Sequence, residues 1–186
     1  DCPGTGNGIC LTGERDRLMV TTTASTTESF VVGMGELKVS RNSGGVLVCV
    51  GIGSCIAICA YDPLTRVGGM AHVVLPRCEG KDGKNPAKYG NLAVPLLIEE
   101  MIRQGGAKSR LVIKLAGGAQ MTTASGVKNV FNTGERNLAE VMAALEREGI
   151  PVVASETGGN KGRTVRFFLE TGKVVVTSVG QEPREL

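Results

Sequence analysis

Three stretches of this chain are apolar at consecutive positions, not at alternating ones: 46–50 (VLVCV), 55–61 (CIAICAY) and 68–75 (GGMAHVVL). A strand with water on one side alternates polar and apolar residues, so runs like these belong to strands covered on both faces. Each is short, bounded by Gly, Asp-Pro or Pro, and rich in β-branched residues, which favours strand over helix. The chain must therefore build a sheet with a layer on either side of it.

The flanking elements say what those layers are. Residues 29–34 and 36–40 read as two further β-type segments, and Gly51-Ile52-Gly53-Ser54 as a turn between the first two apolar runs. Asp62-Pro63 is a turn signal and Pro76 a strand stop. A helix is predicted over about 89–104, with Leu92, Ala93, Leu96, Leu97 and Met101 as its apolar stripe. Pro95 must then sit in its first turn or kink it, and Gly105-Gly106 ends it. Residues 111–116 read as a strand before Gly117-Gly118. A second helix, 133–148, follows with Asn132 as cap, Glu135 at the capping-box position and Leu138, Val141, Met142 and Leu145 on one face. Residues 151–155 form another strand. A Gly-rich turn at 158–163 leads into a hairpin, 164–170 and 173–178, around Thr171-Gly172. Strands, helix, strand, helix, strands is not strict alternation. It predicts an α+β fold: layered, mostly antiparallel β-sheets with two main helices packed on one side.

One domain is expected over 28–180. Residues 1–27 hold Gly, Thr and Ser clusters without periodicity, and the chain starts at Asp1. They are expected to be a disordered or non-native extension, with Met19 or Met34 as the native start, and 181–186 a frayed tail. Aromatics make up 3% with no Trp, and the formal charge of +3 is scattered, which argues against a nucleic-acid partner. No apolar run is long enough for a membrane span and no signal peptide is legible, so a cytoplasmic protein without membrane insertion is expected.

Candidate chemistry begins with His72, the only imidazole and hence the natural base near neutral pH. A lone His in an apolar strand is more often a core residue. Cys55 shifts that balance. It follows the glycine turn, whose N–H groups at Gly53 and Ser54 could line an oxyanion nest. Strand 55–61 returns as 68–75, so the thiol and imidazole can meet. There are six Cys and no C-x-x-C pair, so neither metal nor cofactor is expected, and Cys55 and Cys59 should share a strand face. The GGNKGRT segment at 158–164 fails as a phosphate loop, because Arg163 stands where Lys is needed.

The segments GIGSCIAICAYD, GGMAHVVLP, KYGNLAVPLLIEEM, GGAQM, GERN and GGNKGRTVRF, in that order, resemble the CheD family of chemoreceptor glutamine deamidases. The resemblance runs from about residue 29 to 179. It implies Cys55 as nucleophile, His72 as base, and Cys49 at the position where the family carries a Thr that completes the site. It also implies methyl-accepting chemoreceptors as substrates and a CheC-type phosphatase as partner. GERN (134–137) and Arg163 belong to the family pattern; their plain role is capping and turn structure, their functional one substrate contact. Two rivals stand beside this reading: a different cysteine hydrolase, and a non-enzymatic receptor- or CheC-binding module.

Overall fold

The computed structural model describes residues 27–80, 84–121 and 132–186. The predicted N-terminal extension therefore falls outside the described residues, except for Thr27. Ten strands and two α-helices are described: β1 Glu28–Val31, β2 Leu37–Ser40, β3 Gly45–Ile52, β4 Ile56–Asp62, β5 Val67–Val73, α1 Gly90–Arg103, β6 Val112–Gly117, α2 Thr133–Arg147, β7 Val152–Thr157, β8 Arg163–Phe168, β9 Lys173–Ser178 and β10 Arg184–Glu185. They form two five-stranded sheets, β1-β3-β8-β9-β10 and β2-β5-β4-β6-β7. The β1–β3 and β6–β7 pairings are parallel and the other pairings are antiparallel. The expected α+β class is therefore what is observed.

The doubly apolar runs explain the layering. On β4, Ala57, Cys59 and Tyr61 face the first sheet, where they meet Leu47, Ile52, Val165 and Phe167. The alternate residues Ile56, Ile58 and Ala60 face the helices, among Val94, Leu97, Met101, Val141 and Leu145. Every residue of β4 and β5 is buried. Each fully buried Ile or Leu side chain stabilises by about 1.5–3 kcal/mol, so both interfaces are needed to hold this central sheet.

Several local expectations shift. The buried stripe of α1 is Gly90, Ala93, Val94, Leu97, Ile98 and Met101. Leu92 and Leu96 are only half-buried, because the helix turns its 94/98 edge to the sheet. Pro95 lies beyond the first turn, inside a helix that continues past it. On α2, Val141 and Leu145 are buried as expected, but Met142 is 44% exposed. Asn132 makes no side-chain cap; its amide contacts the Glu135 carboxylate instead. The C-terminal tail is not frayed: β10 pairs with β9, and Leu186 N–H donates to Val174 O at 2.8 Å.

One buried carboxylate ties the far end of the central sheet together. Asp62, at the end of β4, accepts from Leu64 and Thr65 N–H in its own turn, from Ala107 N–H at 2.8 Å, and from Arg110 at 2.7 and 3.1 Å. Burial pushes its pKa up, but the Arg110 and backbone hydrogen bonds outweigh burial and hold the carboxyl below its ordinary range. Its contribution is therefore present above about pH 4 and lost as pH falls below that. Asp62→Ala removes the shared acceptor and should cost about 2–4 kcal/mol. A urea midpoint equal to the parent's at pH 7 would contradict this role.

Candidate active site

The chain crosses from the first sheet to the second at two neighbouring corners. Parallel strands β1 and β3 lie side by side, and each then leaves for the second sheet. The first corner, 32–36, delivers β2; the second, 53–55, delivers β4. Strand β3 runs through Ile52 with an irregularity after Cys49, and Gly51 has φ +71°. The predicted glycine turn is thus a bulge followed by the tight corner Gly53-Ser54-Cys55. Left-handed φ at Gly51 suits a residue without Cβ.

His72 sits on β5 between these corners and is 2% exposed. It pairs directly with Ala57 on β4, and continuing that register one residue beyond the strand makes Cys55 its diagonal neighbour. Diagonal side chains on a strand pair lie within reach of one another when one is as long as His. The imidazole Nδ1 is 3.2 Å from Val32 O. A carbonyl only accepts, so Nδ1 carries the proton and Nε2 is the basic nitrogen. That Nε2 is buried without a hydrogen-bond partner among the described residues. The same Val32 carbonyl receives the Cys49 thiol at 3.4 Å, and Cys49 Sγ also touches Met70 Sδ at 3.2 Å. Cys49 therefore shares His72's anchor, with no direct hydrogen bond to the ring.

The second corner is held by its carbonyls. Gly53 O accepts from Ala119 N–H and Cys55 O from Gly118 N–H, both at 2.8 Å. Ser54 O accepts from Asn137 Nδ2 at 2.9 Å. A trans peptide points its C=O and N–H in opposite directions. Tying these carbonyls inward therefore turns the following N–H groups the other way. Close approach makes glycine necessary at 117: a Cβ there, at φ +120°, would lie 2.2 Å from Cys55 O.

Comparison with known proteins places the chain in a family. Residues 74–178 match the family described as CheD chemotactic sensory transduction. A probable chemoreceptor glutamine deamidase CheD of Desulfitobacterium hafniense is 45% identical over 148 residues, covering 80% of this chain and 92% of that protein. The chemoreceptor glutamine deamidase CheD of Thermotoga maritima is 45% identical over 150 residues, covering 81% and 92%. This chain belongs to the CheD family.

In this CheD chain the sequence-predicted residues fall into two groups. Cys55, His72, Cys49, Gly53 and Ser54 gather around the two corners. Arg163 is 6% exposed, and its guanidinium donates to Gly158 O at 2.6 Å and faces Glu156 at 3.8 Å. It braces the 158–161 turn, whose Gly158 N–H donates to Gly117 O. Val32 and Asn137 are participants the motif search did not single out. Val32 acts through a backbone carbonyl, which has no side-chain signature. Asn137 was visible only as part of GERN. No helix among the described residues is long and apolar enough to cross a membrane.

Burial sets the protonation states. It pushes the Cys55 thiol above its ordinary value, only partly offset by the residue's own N–H. It pulls His72 below its ordinary value, against the opposing pull of the Val32 hydrogen bond and Glu36. Cys49 is pushed up to about 12, first by burial and then by Cys55, so it remains a thiol. Both shifts favour the uncharged forms, a thiol at Cys55 and an imidazole at His72, over a thiolate–imidazolium ion pair. Alkylation of Cys55 by iodoacetamide should accelerate with rising pH and show an apparent pKa above about 8.5, the unperturbed value. Mass spectrometry of the labelled peptide reads this directly. A rate that is already at its plateau at pH 6 would mean an ion pair.

Proposed function

We propose that this chain is a protein-glutamine deamidase acting on methyl-accepting chemoreceptors in the cytoplasm. The observation that carries the proposal is the tethered His72, whose Nδ1 is bound to Val32 O while its Nε2 has no partner among the described residues, on the face that the continued β4–β5 register gives Cys55. The names carried by its relatives supply the substrate class.

In the proposed reaction, Cys55 Sγ attacks the carboxamide carbon of a receptor glutamine as its proton passes to His72 Nε2. The developing oxyanion is received by backbone N–H groups around Gly53, Ser54 and Cys55. The tetrahedral intermediate collapses as the His72 imidazolium protonates the leaving nitrogen, which departs as ammonia. His72, neutral again, takes a proton from water, and the hydroxide adds to the thioester. Collapse then expels the Cys55 sulfur, which regains its proton, and leaves glutamate. The resemblance extends this acyl-enzyme to glutamyl methyl esters and gives a CheC-type phosphatase as partner. Arg163 shapes the loop beside the site, and substrate contact by it is carried on the resemblance alone.

The test is mass spectrometry of a co-expressed chemoreceptor, reading glutamine converted to glutamate. Cys55→Ala should abolish conversion. His72→Ala should lower it by about 10²–10⁴-fold, the usual contribution of a general base. Activity should need neutral His72, and because burial shifts the imidazole downward the acid fall-off should come at a pH lower than that of an ordinary histidine. A parent protein that binds receptor but converts nothing would instead be a binding module.

Cys49 gives a finer check. Its thiol is a weak donor to the Val32 carbonyl, which a hydroxyl would hold more firmly. Cys49→Thr should preserve or raise activity, and Cys49→Val should lower it by tenfold or less, since about 0.5–1.5 kcal/mol is at stake. Equal rates for all three proteins would reduce position 49 to packing.

A further inference from the structure

We propose that Asn137 is a positioning residue that locks the Ser54–Cys55 peptide plane and so aims the Cys55 N–H at the oxyanion; this rests on the deamidase reading above. Asn137 lies in the second turn of α2 and is fully buried. Its Nδ2 donates to Ser54 O at 2.9 Å and to Val74 O at 3.0 Å. One amide nitrogen has two protons, and each carbonyl takes one. The nitrogen thus joins the corner before Cys55 to the chain two residues past His72.

The peptide geometry gives this bridge its consequence. Ser54 C=O and Cys55 N–H belong to one rigid plane and point in opposite directions. Of the corner's three carbonyls, Gly53 O and Cys55 O are held by the backbone of Ala119 and Gly118, and only Ser54 O depends on a side chain. Without Asn137, Ser54 O and Val74 O would both lose this donor. A carbonyl left without a donor is costly, and rotation of the Ser54–Cys55 plane toward another donor relieves it, which swings the Cys55 N–H away. The bland alternative is that Asn137 simply docks α2. Against it, Asn137 Oδ1 is buried with no partner among the described residues. An apolar residue docks a helix without burying such an acceptor, which is costly.

An oxyanion donor acts in the transition state and hardly at all in substrate binding, so its misalignment lowers kcat and spares KM. Alkylation of a thiol by iodoacetamide forms no oxyanion. Purified Asn137→Ala and Asn137→Ser should therefore lose about 10²-fold in kcat for receptor deamidation, keep KM within about threefold, and alkylate at Cys55 at close to the parent's rate. Asn137→Ser serves where the alanine variant does not fold. Either variant with parental kcat per folded molecule would overturn the proposal. So would deamidation and alkylation falling together, or loss of the fold in both variants, since Asn137 would then be a residue of the scaffold. A parent protein that releases no ammonia from receptor would instead sink the deamidase reading itself, a separate outcome.

Discussion

Strands β4 and β5 are apolar on both faces, and the architecture follows from that. A sheet with two apolar faces needs two covers, here a second sheet on one side and α1 and α2 on the other. A chain that builds both sheets must cross between them, and each crossing takes backbone N–H and C=O groups out of the sheet ladders. Buried backbone groups without partners cost free energy comparable to a lost hydrogen bond, so nearly all of them are paired. The candidate site lies at these crossings. Val32, Gly53, Ser54 and Cys55 all have their carbonyls engaged, while the side-chain nitrogen His72 Nε2 has no partner among the described residues.

The arrangement of these crossings is a division of labour between carbonyls and donors. Carbonyl contacts fix peptide planes, and planes fix where N–H groups point. The support extends outward in steps. Arg163 holds Gly158 O, Gly158 N–H holds Gly117 O, and the residues that follow, Gly118 and Ala119, hold the corner at Cys55 and Gly53. A buried Arg on a surface turn thus bears on the geometry of a thiol it does not touch. Such networks transmit small displacements because the packed interior has little room to absorb them.

Much of this was legible in the sequence, and the remainder was hidden for specific reasons. Runs without alternation announced the doubly covered sheet. Two strands joined by a short turn announced that Cys55 and His72 could come near one another, and the candidate pair rests on that nearness. What could not be read was work done by the backbone. The Val32 carbonyl carries both His72 and Cys49, yet any residue at position 32 offers a carbonyl. Asn137 sits on the buried stripe of a helix where the periodicity suggested Leu138 and Met142. A polar residue on an apolar stripe usually reads as an exception, and here it bridges two carbonyls. The tail 181–186 looked polar and free because its stabilising partner, β9, is a neighbour only in space.

A neutral pair with a buried imidazole and a half-buried thiol also bears on chemical selectivity. Charging both at rest would desolvate two ions in part, a cost their attraction need not repay. Keeping them neutral avoids that cost until substrate arrives. In the proposed reaction the two charges then appear together, an imidazolium on His72 and an oxyanion opposite preset N–H donors. On the proposed mechanism the thiol is a poor nucleophile toward electrophiles that form no oxyanion, such as alkylating agents and oxidants. In the proposed reaction it becomes effective toward a carboxamide, whose oxygen would enter the donors at the Cys55 corner. The burial that weakens Cys55 as a general thiol therefore favours carbonyl chemistry over side reactions, and makes the direction of a single peptide plane matter to the rate.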